Sequence, residues 1–323
     1  MIGVVGAGRV GAIVVRQLVA LDADHIVVYD ANPVVARRVA ESAAARRGRV
    51  VVGDQERIRA CQTVVVAGPV PHARAVHKLS AAGCHVISVS DDLDDVRTLL
   101  DVPVQTCLVV GAAASPGFTG LVARHLAGRF DTVDEIHVAS HGTGGPACAQ
   151  QHHRALGGTA LGWHDGAWIK RPAGSGRELC WFPDPVGGLD CYRSESPEPV
   201  VLARAFPEAQ RISARVSATR RDRLTSRLPM LAPPHPEGMD GAVRIEVRGW
   251  RGTERHVEII GVAERLARVT GLVATATTHA VHSGRVPRGV HVLGDTALPN
   301  DDILRDVTSY GVRMQEFIGT SAL

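Results

Sequence analysis

Lysine is almost absent from this chain, since only Lys78 and Lys170 carry that side chain among 323 residues. A mechanism that needs a Schiff-base or general-acid lysine therefore has two candidates. The cysteines form no CxxC pair, and several lie in or beside apolar runs, which favours buried and reduced thiols. No apolar run reaches the length of a membrane span, and the first residues already predict a strand rather than a leader peptide. We expect a cytoplasmic protein without membrane association.

An excess of charge of one sign is also lacking. The formal net charge of +3 is too small to predict a nucleic acid or an acidic membrane as partner. The longest basic run, 220–227, is typical of the exposed face of a helix, with a carboxylate-binding patch as the alternative. With 45% hydrophobic residues, the chain is long enough for two domains or one large one. We expect a small-molecule substrate and a homodimer.

The first thirty residues carry a nucleotide-binding pattern. An apolar strand precedes Gly6, Gly8 and Gly11 in GxGxxG spacing, an amphipathic segment follows, and a second strand ends at Asp30. The first glycine permits a tight turn, the second lets the backbone approach a pyrophosphate, and the third allows close packing of the helix. The carboxylate of Asp30 suits the ribose hydroxyls and repels a 2′-phosphate, so the pattern predicts NAD rather than NADP. A helix-capping role for Asp30 is the alternative.

Short valine-rich runs then alternate with helical segments as far as residue 113. Near-continuous apolar strands predict a doubly wound parallel sheet of the Rossmann type, which binds ligands beyond the carboxyl ends of its strands. The segments 67–72, 88–92 and 112–118 should therefore surround the nicotinamide. The residues predicted to contact NAD are Gly6, Gly8, Arg9, Val10, Gly11, Asp30, Ala67, Gly68 and Pro69.

The second half has a different pattern of apolar and polar residues. Strands at 134–142 and 210–218 and a hairpin at 242–262 alternate apolar and polar residues, which predicts an α+β domain on a mostly antiparallel sheet. The segment 176–193, with its prolines and glycines, predicts a rigid loop. We predict a Rossmann domain at 1–130 that a returning helix near 264–284 completes. The second domain would span 131–263, and the segment 285–323 would pack on the first.

The motifs "GAGRVG", "VVVAGPVPHARAVHKLSAAGCHVISVSDD" and "GAAASPGFTGLVARHLA", in this order, resemble the saccharopine dehydrogenase family, which includes lysine 6-dehydrogenase-like enzymes. The resemblance covers residues 1–142 and continues more loosely through "WFPDPVG" and the helix at 266–283. It implies NAD(P)-dependent chemistry at a C–N bond, in which an amine is oxidised to an imine or the reverse. "HGTGGPACAQQHH" and "SGRELCWFPDPVGGLDCY" match no motif of the saccharopine-forming enzymes.

Amine oxidation needs a base for the ammonium group and a pocket that orients the substrate. Asp91 and Asp92 follow a strand at the predicted rim, where one could bind the amine or act as base, or simply cap the next helix. His72 and Pro116 lie on the same rim. His72 could contact substrate or only begin a helix.

The stretch Ser140–His153, "SHGTGGPACAQQHH", joins a predicted strand to a helix that begins at Pro146. Its glycine-rich turn would present free amides to a substrate carboxylate. Cys148 and His152 share one helix face, but two ligands do not complete a zinc site, so we expect no metal. Covalent cysteine catalysis and a purely structural role are alternatives. The predicted catalytic residues are Asp91, His141, Cys148 and His152. The predicted substrate contacts are His72, Asp92, Pro116, Gly144, Gly145 and Trp181.

Three functions compete. The leading one is an NAD-dependent oxidoreductase that acts on a C–N bond of an amino-acid-like substrate. The second is a dehydrogenase of a sugar, polyol or aldehyde. Against sugar dehydrogenases, the position after the fifth strand reads "SVSDD", without the lysine that such enzymes carry there. The third is a non-catalytic NAD(H)-binding sensor.

Overall fold

The computed structural model describes residues 1–23, 25–47, 50–230 and 239–317. Its first elements are β1 (Ile2–Val5), α1 (Arg9–Ala20), β2 (Ile26–Tyr29), α2 (Pro33–Arg47), β3 (Val50–Val52), α3 (Gln55–Arg59), β4 (Thr63–Val66), α4 (Ala73–Ala81), β5 (His85–Ser88), α5 (Leu93–Leu100), β6 (Cys107–Val110) and α6 (Phe118–Ala127). The middle elements are β7 (Thr132–His141), α7 (Pro146–Ala155), β8 (Thr159–His164), β9 (Ala167–Pro172), β10 (Glu178–Trp181), β11 (Gly188–Tyr192), α8 (Glu198–Ala205), β12 (Arg211–Ser217), α9 (Arg220–Thr225), β13 (Ala242–Arg251) and β14 (Glu254–Ala263). The last are α10 (Leu266–His282), β15 (Gly289–Val292), α11 (Asn300–Ser309) and β16 (Gln315–Glu316).

The chain divides into two compact units. The first contains Met1–Phe118 and Ala267–Val307, and the second contains Thr119–Leu266 and Thr308–Leu323. The predicted boundaries lay at 130/131 and 263/264. The strand β15 joins the first unit, whereas β16 pairs with β14 in the second. The described residues 308–317 therefore belong to the second unit, whereas the sequence predicts that this segment packs on the first.

The first unit is built on a seven-stranded parallel sheet in the order β15-β6-β5-β4-β1-β2-β3. The strands β4 and β6 are buried along their whole length, as the valine-rich runs predicted. Strand order reverses between β1 and β4, and this switch point is where such sheets bind ligands. The helix α10 returns onto α1, with a Cβ at Gly271 lying only 2.5 Å from Cγ2 of Ile13.

The second unit is built on a mixed sheet in the order β10-β11-β12-β7-β13-β14-β16, with β8 and β9 added beside β12. The pair β7 and β12 is parallel, and the other strand pairs described in this sheet are antiparallel. Along β7, Ile136 and Val138 are buried on one face, while Glu135 and His137 lie half-buried on the other. The predicted fold class, a doubly wound parallel sheet plus a second α+β domain, is confirmed.

The prediction of a rigid loop at 176–193 is wrong. The segment forms a hairpin in which β10 pairs with β11 from Glu178↔Cys191 to Trp181↔Gly188. Pro183, Pro185 and Gly187 fall in the connecting turn, so they end the strands without preventing them. Among the described residues, no helix is long and apolar enough to cross a membrane.

Candidate functional site

The turn after β1 requires glycine for reasons of space. Gly6 has φ of +93°, and a Cβ there would lie 2.5 Å from the backbone nitrogen of Gly68. A Cβ at Gly11 would lie 1.8 Å from the carbonyl oxygen of Gly6, so only glycine lets α1 approach β1 this closely. The turns that follow β1 and β4 are therefore in contact at the switch point of the sheet.

Gly8 differs from its two partners. A Cβ at Gly8 would meet no atom within 4 Å, so its lack of a side chain leaves open space beside the backbone. Gly8 is the N-cap of α1 and makes no side-chain cap, so the amides of the first turn, at Arg9 and Val10, are directed toward that space. This cradle has the form that a dinucleotide pyrophosphate requires.

Asp30 lies directly after β2 and is bonded to the same turn. Its Oδ2 accepts a hydrogen bond from the amide of Ala7 at 2.7 Å, and its Oδ1 accepts one from the amide of Asn32 at 2.8 Å. Each carboxylate oxygen keeps a lone pair for a further donor. The residues present therefore fit a dinucleotide, with the phosphates at Gly8 and the ribose hydroxyls at Asp30. The alternative of a helix-capping role for Asp30 gains no support. The helix α2 begins at Pro33, and the side chain of Asn32 accepts the hydrogen bond from the amide of Val34.

The turn after β4 contains Ala67, Gly68 and Pro69, and His72 holds it in place. The His72 side chain is 2% exposed, with Nε2 placed 2.9 Å from the carbonyl oxygen of Gly68 and Nδ1 placed 2.9 Å from Oγ of Ser88. A carbonyl only accepts, so Nε2 donates and Nδ1 accepts from the serine. Both ring nitrogens are used inside the first unit. These bonds give His72 a positioning role, and its predicted substrate contact stays a prediction.

The carboxylates after β5 have three different roles. Oδ1 of Asp92 accepts from the amides of Asp94 and Asp95, which makes it the N-cap of α5. Asp95 is 4% exposed and accepts from the amides of His72 and Ala73, so it holds the start of α4. The capping alternative for Asp92 thus describes its contacts. Asp91 stands half-buried at the end of the strand and stays the candidate for substrate chemistry.

Pro116 lies in a buried turn that other backbone groups close. The amide of Ala113 donates to the carbonyl of Pro116 at 3.0 Å, and the amide of Ala114 donates to Oγ1 of Thr270 at 3.0 Å. A Cβ at Gly111 would lie 2.8 Å from Cγ of Pro116. These contacts place Pro116 inside a closely packed turn, and its predicted substrate contact stays a prediction.

In the second unit, His141 is the last residue of β7 and is hydrogen-bonded to Ser217. Its Nδ1 lies 2.6 Å from Oγ of Ser217, and its ring centroid lies 6.3 Å from that of Phe182. Burial lowers the pKa of His141, and the nearby carboxylate of Asp240 opposes that shift. In the part of the chain that the structure describes, no residue bonds Nε2. A neutral imidazole with one nitrogen fixed and the other available can accept a proton.

The turn from Gly142 to Gly145 delivers the chain to α7 as predicted. Gly142 has φ of +86°, and Gly145 is an N-cap with φ of 151° and no side-chain cap, followed by Pro146 at the first helical position. Gly144 lies half-buried between them. Gly145 has no side chain with which to cap the first turn of α7, and the N-terminus of a helix favours a carboxylate.

The three histidines and the cysteine of this stretch do not act as one group. Cys148 and His152 are half-buried and follow each other by one helical turn. His153 is buried, and its Nε2 donates to the carbonyls of Thr225 at 2.9 Å and Leu228 at 3.2 Å. His153 therefore stabilises the carbonyl end of α9. The expectation that no metal is needed stays a prediction.

Trp181 and Phe182 are neighbours in sequence with opposite environments. Trp181 is 60% exposed, and its ring packs over Gly188, where an added Cβ would lie 3.3 Å from the ring atoms. Phe182 is 2% exposed and packs in a cluster with Ala139, Cys180, Cys191 and Ala242. The alternative of a core-packing corner describes Phe182, whereas the Trp181 ring faces outward from β10.

Sequence reasoning missed Asp95, Ser88 and Ser217. Each acts through a partner that lies between 16 and 76 residues away in the chain. The only local signal was the polar character of Ser88 at the end of an otherwise apolar strand. No spacing rule connects such pairs, because they are made by strand order.

Residues 1–92 match the profile of a family described as coenzyme F420-dependent NADP oxidoreductases. Myo-inositol dehydrogenase Hyg17 from Streptomyces leeuwenhoekii is 30% identical over 198 residues, which is 59% of this chain and 60% of that protein. The chain thus matches less than two thirds of this curated relative's length.

Solved structures share the architecture at low identity. The L-Glu-forming saccharopine dehydrogenase from Saccharomyces cerevisiae superposes with a TM-score of 0.69 at 13% identity, over 98% of this chain and 99% of that one. An amine dehydrogenase from Mycobacterium smegmatis gives a TM-score of 0.51 at 12% identity, over 90% of this chain and 94% of that one. Profile and geometry together define the first unit as an NAD(P)-binding Rossmann domain. The likeness to saccharopine dehydrogenase is one of fold, and membership of that particular family is not established.

Proposed function

We propose that this protein is an NAD-dependent oxidoreductase that acts on the C–N bond of an amino-acid-like substrate. The observation that carries the cofactor assignment is the cradle formed by Gly6, Gly8, Gly11 and Asp30. Space excludes side chains at two of these glycines, open space lies beside the third, and the carboxylate is bonded to the same turn. When bound, the nicotinamide accepts or supplies a hydride.

The choice of NAD over NADP rests on Asp30. Its two bonds to backbone amides fix the carboxylate at the end of β2. Ribose hydroxyls would donate to its remaining lone pairs, whereas a 2′-phosphate there would meet a like charge. In the described residues, no side-chain cation bonds to Asp30.

The preference for an amine rests on the charged and polar groups that we assign to the substrate. Asp91 follows β5 where sugar dehydrogenases carry a lysine, and a carboxylate suits an ammonium group better than a hydroxyl. The neutral His141, held by Ser217, is our candidate to accept the proton that the amine loses. The first turn of α7 is our candidate to bind the substrate carboxylate. Cys148 and His152 follow on α7, and we propose them as further catalytic residues of the second unit.

A polyol dehydrogenase is the second candidate, favoured by the similarity to a myo-inositol dehydrogenase. Against it, the two lysines lie on α4 and β9, and neither follows β5. A polyol enzyme of this chain would have to abstract the hydroxyl proton with His141 or a carboxylate instead.

Binding and turnover can be separated in one series. Nicotinamide fluorescence would measure NADH and NADPH binding, and absorbance at the NADH band would follow turnover with amino acids in one arm and polyols in the other. We expect tighter NADH binding and turnover in the amino-acid arm, which His141→Gln should reduce without changing NADH affinity. Turnover only with polyols would replace the substrate assignment. NADH binding without turnover in either arm would favour a sensor.

A further inference from the structure

The mixed sheet of the second unit has one polar face, and most of that face is balanced in charge. Glu246 pairs with Arg244 at 2.6 Å and with Arg248 at 2.5 Å. Glu135 pairs with Arg255 at 2.6 Å and with His137 at 2.8 Å. Over β7, β13 and β14, therefore, each of these charges on the face has an opposite partner.

The other side of the same face carries an excess of arginine. Arg211 and Arg215 lie on β12, and Ser217 of that strand shares their face. Cys191 of β11 pairs with Ser217, and Arg193 follows Cys191 by two residues. Arg171 of β9 pairs with Ala160 of β8. His164, four residues further along β8, pairs with Arg211 of β12. Alternation along each strand puts all four arginines on one face. We call Arg171, Arg193, Arg211 and Arg215 the arginine cluster.

Only one carboxylate bonds to this cluster within the described residues. Glu178 accepts from Nε of Arg215 at 2.6 Å. Arg171 donates to the backbone carbonyl of Lys170 at 3.2 Å. In the same part of the chain, the guanidinium groups of Arg193 and Arg211 make no hydrogen bond. Four cations around one anion repel one another.

Arg193 shows how closely the cluster is held. A Cβ added to Gly176 would lie 1.9 Å from Nη1 of Arg193. The guanidinium therefore packs directly against the backbone of this glycine. Burial lowers the pKa of Arg193, and the charges of Arg215 and Arg171 lower it further, while Glu178 opposes them. The guanidinium is thus partly desolvated among like charges, an arrangement that an anion would relieve.

We propose that the arginine cluster binds a small anion with two or more negative charges on phosphate or carboxylate oxygens. Guanidinium groups bind such oxygens in bidentate pairs, and an unbalanced charge of this size favours a multivalent anion over a single carboxylate. The site lies within the second unit and does not depend on the proposed oxidoreductase activity.

The test uses the full chain and inorganic pyrophosphate, with citrate as the carboxylate arm, at constant ionic strength. Calorimetric titration and thermal unfolding would be measured for the wild type, Arg193→Gln and Arg211→Gln. Arg177→Gln is the matched control, because Arg177 is 70% exposed and pairs with Asp190 on the opposite face of the hairpin. Pyrophosphate binding at the glycine-rich turn of the first unit would be common to all variants and cancels in the comparison.

We expect saturable binding that weakens about tenfold or more in Arg193→Gln and Arg211→Gln, and stays within about twofold in Arg177→Gln. Without anion, Arg211→Gln should unfold at no lower temperature than the wild type, because repulsion is relieved. The stronger of the two arms identifies phosphate or carboxylate as the preferred group. Affinity that is equal in all variants, or that falls equally in the Arg177 control, would overturn the proposal.

Discussion

At the scale of single residues, the Asp30 carboxylate is fixed by the turn that it serves, through its bond to the amide of Ala7. We predict that Asp30→Ser raises the NADPH-to-NADH affinity ratio about tenfold or more, because repulsion of a 2′-phosphate disappears together with an acceptor for the ribose. Fluorescence titration with both nucleotides measures the ratio.

Asp54 supplies the control for this change. It caps α3 by accepting from the amide of Arg57 at 2.9 Å, so it is also an aspartate near the end of a strand of the same sheet. Asp54→Ser should lower stability slightly and leave the nucleotide ratio unchanged. A wild-type protein that binds NADPH as tightly as NADH would remove the basis for assigning NAD.

His72 allows the structural and substrate roles to be separated. We predict that His72→Ala lowers the free energy of unfolding by about 2–4 kcal/mol, since it removes two buried hydrogen bonds and leaves a cavity. His77→Ala, on the exposed side of α4, should change it by about 0.5 kcal/mol at most. Urea unfolding monitors both. Full stability of His72→Ala with lost turnover would instead support the predicted substrate contact.

Three histidines show why residue identity alone could not assign these roles. His72 bonds to Ser88, His141 bonds to Ser217, and His153 bonds to the end of α9. All three stand near glycine or proline at the end of an element, so their local patterns are alike. Their partners come from strand order and from elements distant in the chain, which periodicity does not report.

At the scale of elements, glycine is needed at Gly8 and at Gly11 of the glycine-rich turn for different physical reasons. We predict that Gly11→Ala lowers the melting temperature strongly, because its Cβ would overlap the carbonyl of Gly6, whereas Gly8→Ala leaves it nearly unchanged. Gly8→Ala should still weaken NADH binding about tenfold or more, since a methyl group would stand where the pyrophosphate approaches. Thermal unfolding and fluorescence titration, run on both variants, test the pair.

Each variant is the control for the other, since both add one methyl group to the same turn. Unchanged NADH affinity in a folded Gly8→Ala variant would mean that the phosphates bind elsewhere. A fully stable Gly11→Ala variant would mean that α1 can move away from β1 at little cost.

The elements that were predictable are those whose signal is continuous along the chain. The buried strands β4 and β6, the helix α7 after Pro146, and the hairpin of β13 and β14 all follow from local periodicity or capping. The hairpin of β10 and β11 was missed because its strands are short and its turn holds the residues that disfavour strands elsewhere. Pairing with β12 stabilises this hairpin, and that partner lies outside any local window.

At the scale of the whole molecule, several histidines share one electrostatic condition. Burial lowers the pKa of His85, His137, His141 and His282 below the ordinary value of 6.5. Two of them belong to the first unit and two to the second. The unfolded chain therefore takes up protons at these positions before the folded chain does, as the pH falls below 6.5.

We predict that the melting temperature is steady above pH 7 and falls as the pH drops through 6.5, because protons then favour the unfolded state. Glu135 acts in the same direction at lower pH. Burial alone would raise its pKa, but hydrogen bonds from His137 and Arg255 bring it to about 2. Its contribution to stability is present above the ordinary value of 4.5 and is lost as the pH falls toward 2.

Scanning calorimetry from pH 8 to pH 4 would measure this dependence. His282→Asn should reduce the slope below pH 6.5, because it removes a histidine whose Nδ1 lies 3.0 Å from Oγ1 of Thr63 and whose pKa is lowered by burial. His256→Asn is the matched control, since the His256 side chain on β14 is 36% exposed, and it should change the slope less than His282→Asn does. A melting temperature that rises on acidification would show that the buried histidines gain protons on folding, against the direction argued from their burial.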